Sequence, residues 1–191
     1  MSAALATSRG TLTQRAAIAS VSMALFLLGL KGWAAWQTGS VSMLGSLADT
    51  ALDIVASLVT LFSVRLAAEP ADHNHSYGHG KAEALAALFQ TGIITASAIA
   101  IGWRGVSMIG TSRAPEHPEL GIGVSVIAIL TTFALITYQR HIVRKTGSVA
   151  IQADHVHYSS DLALNASVIV ALILDSILGI RSADPLFGVG I

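Results

Sequence analysis

The chain has 191 residues, 53% hydrophobic and only 12% charged, and its Lys and Arg balance its Asp and Glu at a net charge of zero. A soluble domain carries about twice that charge, roughly 25%, so the composition is that of an integral membrane protein. The lack of any basic run argues against nucleic-acid binding, and the absence of cysteine excludes disulfides and thiolate metal sites.

Apolar runs of about 20 residues have the length at which an α-helix crosses a hydrocarbon core about 30 Å thick. Residues 1–15 precede the first run and carry Arg9 and Arg15. That run, about 16–36, is too long for a cleaved signal peptide and holds Lys31 near its end. The tight stretch "QTGS" turns the chain into a second run at about 41–66. A third follows at 82–108, and the Pro-marked "PEHPEL" separates it from a fourth at 120–138. The fifth run is 151–178, and a sixth begins near Asp184 in "ADPLFGVGI" but stops too soon to span. The pattern predicts an all-α, multi-pass membrane helical bundle, and the short sixth run predicts a longer protein cut short. With alternating helices, Arg9, Arg15, Arg65, Lys81, Arg140, Arg144 and Lys145 fall on one side, against Arg104, Arg113 and Arg181 on the other. Basic residues in short loops mark the cytoplasmic face, which predicts a cytoplasmic amino terminus in a cell (inner) membrane protein.

Ionisable side chains inside a span cost about 2.5 to 3.5 kcal/mol each on insertion scales, so they signal function. The second run holds Asp49 and Asp53, four apart and on one helical face, within a stripe of Ser42, Ser46, Asp49, Asp53 and Ser57. Lipid does not tolerate such a stripe, which is expected to point inward. The fifth run repeats the spacing with His157 and Asp161, continued by Asn165. Two such faces opposed at similar depth present three carboxylates and one imidazole to a single point. That set suits a borderline divalent ion, with zinc leading and Fe²⁺, Mn²⁺, Co²⁺ and Cd²⁺ as alternatives, whereas Mg²⁺ and Ca²⁺ prefer all-oxygen shells. The competing readings are an ion pair, for which Lys31 is the one basic residue at matching depth, and a metal-free proton relay.

Between the second and third runs lies "EPADHNHSYGHGKAEALAALF". Its Asp72, His75 and His79 are candidates for a second divalent ion, with a solvated, metal-free polar loop as the plain alternative. Asp154 and His155 stand about one turn to the cytoplasmic side of His157, where with His73 they are possible entrance residues or mark the point where the helix meets water. Lys81 and Glu83 are expected in a cap or interhelical ion pair, and Trp33, Trp36 and Trp103 as interfacial anchors. No H-E-x-x-H pairing is present, so a membrane metallohydrolase, and an enzyme generally, is not expected.

The segments "TGSVSMLGSLADTALDIVASL", "PADHNHSYGHGKAEALAAL" and "ADHVHYSSDLALN" closely resemble the cation diffusion facilitator family, in particular its bacterial zinc and iron efflux members. The resemblance runs from about residue 16 to 191 and includes the Asp-x3-Asp and His-x3-Asp pairs in order. It implies a six-helix transmembrane domain, here with the sixth helix truncated, that forms a homodimer in the membrane lipid. It implies export of a divalent metal substrate in exchange for protons by alternating access, with no prosthetic group. The family's transport site falls on Asp49, Asp53, His157 and Asp161, and its loop site on Asp72, His75 and His79, with His73 where relatives often carry Asp. Members normally continue into a cytoplasmic ferredoxin-like domain, which the resemblance implies is absent from this chain.

Overall fold

A computed structural model describes residues 3–38, 41–108 and 118–178 of the chain. They form five helices: α1 (Ala3–Thr38), α2 (Val41–Ala67), α3 (Lys81–Met108), α4 (Pro118–Thr146) and α5 (Val149–Leu178). The described residues are helical apart from the α2–α3 loop and the two-residue corner before α5. The predicted sixth run lies outside them. Two helices outrun their predicted spans, α1 by beginning at Ala3 and α4 by continuing to Thr146. Hydropathy marks only the part of a helix inside hydrocarbon, whereas its hydrogen-bonded ladder continues into the polar layer.

Ser8–Gln37, Ser46–Ala67, Lys81–Ala100 and Ile122–Thr146 are each long and apolar enough to cross a membrane. The 30 residues of α5, at about 1.5 Å of rise each, also exceed the bilayer core. The molecule is a multi-pass membrane helical bundle. α1 packs against α2 and α4, α3 against α2 and α5, and α5 also against α4 and α2.

Its packing inverts the habit of soluble proteins. Ala16, Ala17, Ala24, Ala34, Ala56, Ala86 and Ala150 are buried, while Leu25, Phe26, Phe62, Leu88, Ile99 and Phe133 face outward. Lipid tails are as apolar as leucine, so small residues go where backbones must approach and large ones where lipid lies. One inner cluster joins Ala16, Ala17, Val64, Ala86, Ile142, Ala150 and Ile151, and a second joins Met23, Leu27, Ala128, Leu135 and Tyr158.

The α4–α5 corner is built from backbone rules. Gly147, at φ +64°, takes the left-handed conformation that ends a helix, and its amide donates to Val143 O at 2.8 Å. The Arg9 guanidinium donates to the Thr146 carbonyl, satisfying another α4 terminal group. Ser148 then caps α5, accepting from the Ile151 amide at 3.3 Å. Glu83 of α3 completes the cap, its Oε2 accepting from Ser148 Oγ at 2.7 Å and from the Val149 amide at 3.1 Å. Glu83 therefore does cap a helix, but the helix is α5, at whose positive end its charge is favourable. Lys81 is exposed and takes no part.

A polar knot sits inside the apolar packing. Asp154 of α5 is fully buried. Its Oδ2 accepts from Ser20 Oγ of α1 at 2.6 Å and from Gln139 Nε2 of α4 at 2.7 Å, and its Oδ1 accepts from Gln90 Nε2 of α3 at 2.9 Å. Gln90 also donates to Thr60 Oγ1 of α2 at 2.5 Å. The carboxylate ties α5 to α1, α3 and α4, and Gln90 extends the knot to α2. This corrects the expectation that Asp154 stands at an entrance: it is enclosed, and every hydrogen bond it receives comes from another helix.

Candidate metal centre

α2 and α5 meet where their acidic and imidazole side chains lie. His157 is buried, with Nε2 3.1 Å from Asp53 Oδ1 and 3.6 Å from Asp161 Oδ2. The i,i+4 spacing brings Asp161 onto the face of His157, and the α2–α5 packing brings Asp53 to it. Ligand atoms of Asp53, His157 and Asp161 all lie within 4.8 Å of one another. Zinc bonds of about 2.0–2.1 Å at tetrahedral angles separate neighbouring ligand atoms by about 3.3 Å, a value that the two measured separations bracket. Asp161 Oδ2 is buried without a hydrogen-bond partner. A carboxylate oxygen left so, among other ligand atoms, suits a cation.

Asp49 does not join this triad. Its side chain is exposed, although its charge acts on Asp161 and on Lys31. It sits one turn from Asp53 on α2, the same spacing that separates His157 from Asp161 on α5. The rest of the predicted stripe divides similarly: Ser57 is buried and bonds Tyr158 Oη at 2.7 Å, while the Ser42 side chain lies outside the described residues.

A cavity of about 520 Å³ lies between α3 and α5 and reaches the triad. Ile94, Ser97 and Ala98 line one wall, and His155, His157 and Asp161 the other. His155 therefore faces the space that leads to the site, as an entrance residue would, whereas Asp154 three residues before His157 does not line it. His155 Nδ1 is buried without a hydrogen-bond partner.

The second candidate cluster is in the α2–α3 loop. Asp72 Oδ1 accepts from the Asn74 amide at 2.9 Å and the His75 amide at 2.6 Å, a local turn that orders the loop. Gly78, at φ +76°, provides a further bend. These bends bring His75 Nδ1 to 3.2 Å from Asp72 Oδ1 and His79 Nε2 to 3.7 Å from Asp72 Oδ2. The His75 and His79 rings are 4.4 Å apart, and His79 Nδ1 is buried without a partner. Donation from the His75 backbone amide, helped by Asn74 and the His75 ring, holds the Asp72 carboxyl below the usual carboxylate range. His73 is exposed and stays outside this triad.

Several polar partners of the site were not singled out from the sequence: Thr50, Tyr158, Ser20, Gln90 and Gln139. The available signal was the presence of two glutamines inside otherwise apolar spans, where polar side chains are costly and require partners. Trp33, Trp36 and Trp103 are exposed near the carboxyl-terminal ends of α1 and α3, as interfacial anchors would be.

A bundle of membrane-length helices with a partly buried Asp–His–Asp cluster between two of them is a membrane protein with an intramembrane centre of metal-ligating side chains. A family model for the cation efflux transmembrane domain matches residues 17–191. The chain belongs to that family, the cation diffusion facilitators, which are transporters rather than an enzyme class. It is similar to the cation-efflux pumps FieF of Yersinia pestis (strain Pestoides F) and of Yersinia pseudotuberculosis serotype O:3 (strain YPIII), at 46% identity over 176 residues in each case. The matched region is 92% of this chain and 58% of each relative, so the chain spans somewhat over half the length of these curated relatives.

Proposed function

We propose that the chain is the membrane-embedded part of a divalent cation efflux transporter, with zinc as the leading substrate, working as a metal/proton antiporter by alternating access. The observation that carries this reading is the convergence of Asp53, His157 and Asp161 inside the bundle, with Asp161 Oδ2 holding no hydrogen bond and a cavity reaching His157 and Asp161. Asp49 supplies further negative charge one turn away and is the fourth ligand on this reading, joining when α2 and α5 close on the ion. The similarity to proteins named cation-efflux pumps supports the direction of transport.

The chemistry of exchange follows from the ligands. Imidazole binds metal only when neutral, and carboxylates only when ionised, so protons and metal compete for the same atoms. Facing a neutral cytoplasm the site loads metal, and facing a more acidic exterior it takes protons and releases it. The amino terminus and the loop triad then lie on the cytoplasmic side of the inner membrane, where Asp72, His75 and His79 bind a second ion. A homodimer is the assembly this reading adopts. Fe²⁺, Cd²⁺ and Mn²⁺ are alternative substrates, because ligand type alone follows the general affinity order.

The test is uptake by the purified chain in proteoliposomes with an acidic interior. Zinc is expected to accumulate inside, to compete with the other divalent ions offered together, and to stop accumulating when the pH gradient is dissipated. Uptake indifferent to the gradient, or a chain that binds no zinc by calorimetry, overturns the antiporter in favour of a metal-free proton relay. For the loop, changing His75 and His79 together to Ala is expected to remove one bound metal per chain at equilibrium while some transport remains. An unchanged stoichiometry rules out the second ion.

A further inference from the structure

Lys31 is the charged residue near the centre that transport by the three ligands does not use. It lies in α1 within the membrane-length segment Ser8–Gln37. A lysine near the end of a span ordinarily runs its long stem to the interface and keeps its ammonium in water. Here the ammonium turns inward instead, and donates to Thr50 Oγ1 of α2 at 2.7 Å. Thr50 is fully buried and lies between Asp49 and Asp53 in the chain. Its own hydroxyl donates to Ser46 O at 3.1 Å, which leaves a lone pair for the lysine.

From that position the Lys31 charge acts on Asp53, Asp161 and Asp49. Yet among the described residues it forms no ion pair with any of them. The hydroxyl of Thr50 holds the ammonium beside the carboxylates without letting it occupy their oxygens.

We propose that Lys31 is a tethered counter-cation that holds the affinity of the metal site low enough for the metal to be released. The inference rests on the reading of Asp53, His157 and Asp161 as the transport site. With His157 neutral, the site holds the two carboxylates of Asp53 and Asp161, with the Asp49 carboxylate one turn away, and the ammonium offsets one of these negative charges. A fixed positive charge repels a cation bound beside it. Lys31 thereby keeps affinity low enough for release. Thr50 is its positioning residue: without the hydroxyl, the ammonium reaches Asp53 and competes for its oxygens directly.

The experiment measures zinc dissociation constants by calorimetry at fixed pH, on a His75→Ala, His79→Ala background that leaves only the intramembrane site. Lys31→Met is expected to tighten zinc binding about tenfold and to slow turnover in proteoliposomes. Thr50→Val is expected to weaken binding severalfold, and to have little effect once Lys31→Met is present. Binding by monodisperse Lys31→Met that is equal to or weaker than that of the parent overturns the proposal. A Thr50→Val effect of the same size with and without Lys31 also overturns it, and this arm decides the matter if Lys31→Met does not fold. Asp53→Ala separates the two readings. If it retains the zinc, the site assignment fails. If it loses the zinc while Lys31→Met binds as the parent does, only the lysine's role fails.

Discussion

Proton-driven zinc uptake is expected to fall at least a hundredfold in His157→Ala, with the protein still folded and metal binding by its loop unchanged. This result is expected because His157 is the one nitrogen ligand in the triad, its Nε2 facing both Asp53 and Asp161. Removing it leaves two carboxylates whose mutual repulsion is then relieved by taking up a proton rather than by holding an ion. A free imidazole changes charge near neutral pH, and it binds metal only when neutral. In the parent protein, lowering the pH is therefore expected to weaken metal binding through His157, and in His157→Ala that part of the pH dependence is expected to disappear. The measurement is initial uptake rate against internal pH in proteoliposomes, with bound metal per chain as a control for folding. Near-normal uptake would remove His157 from the site.

Replacing Asp154 with Ala is expected to lower stability by about 3 kcal/mol or more, because each buried donor left without an acceptor costs about 1–3 kcal/mol. Gln90 and Gln139 each lose the acceptor of one amide hydrogen, keeping Thr60 and Ser20 for the other, while the Ser20 hydroxyl keeps the Ala16 carbonyl. Asp154→Asn is expected to be milder. Gln90 Oε1 and Gln139 Oε1 have no hydrogen-bond partner, so either amide can accept from the new side-chain amide if it turns over. The ordering Asp154, then Asn, then Ala in thermal unfolding of detergent-solubilised protein checks this. Equal loss in both variants would mean that charge, rather than the hydrogen-bond pattern, holds the knot.

Much of the architecture is legible in the residues themselves. Runs of apolar side chains locate all five helices, because a bilayer of fixed thickness demands a fixed length. The repeat of four between His157 and Asp161 places both on one face, and the structure has them 3.6 Å apart. The same repeat between Asp49 and Asp53 was less decisive, since spacing alone does not say how a helix is turned toward its neighbour, and only Asp53 reaches the imidazole in this conformation while Asp49 is exposed. Glu83 shows a different limit: its capping role was readable, but its target is a helix 65 residues onward. The Asp154 knot was the least legible feature. Its members Ser20, Thr60, Gln90, Gln139 and Asp154 are single polar residues scattered over five helices, and no spacing rule joins positions that only three-dimensional packing brings together.

The placing of these polar ties along α3 has a mechanical consequence. Glu83 is fastened to the start of α5 and Gln90 to Thr60 and Asp154. Beyond Gln90, the described hydroxyls of α3 bond only within their own helix, as Thr91 does to Ala87 and Thr95 to Thr91. Among the described side chains, α3 is thus a rod riveted by polar ties over its first three turns and without such ties beyond them. The unfastened part, from Ile94, is the wall of the cavity that reaches His157. Bending stress applied to the rod is resisted at the rivets and yields at the far half, so the stiffness gradient of one helix decides which side of the cavity wall gives way first.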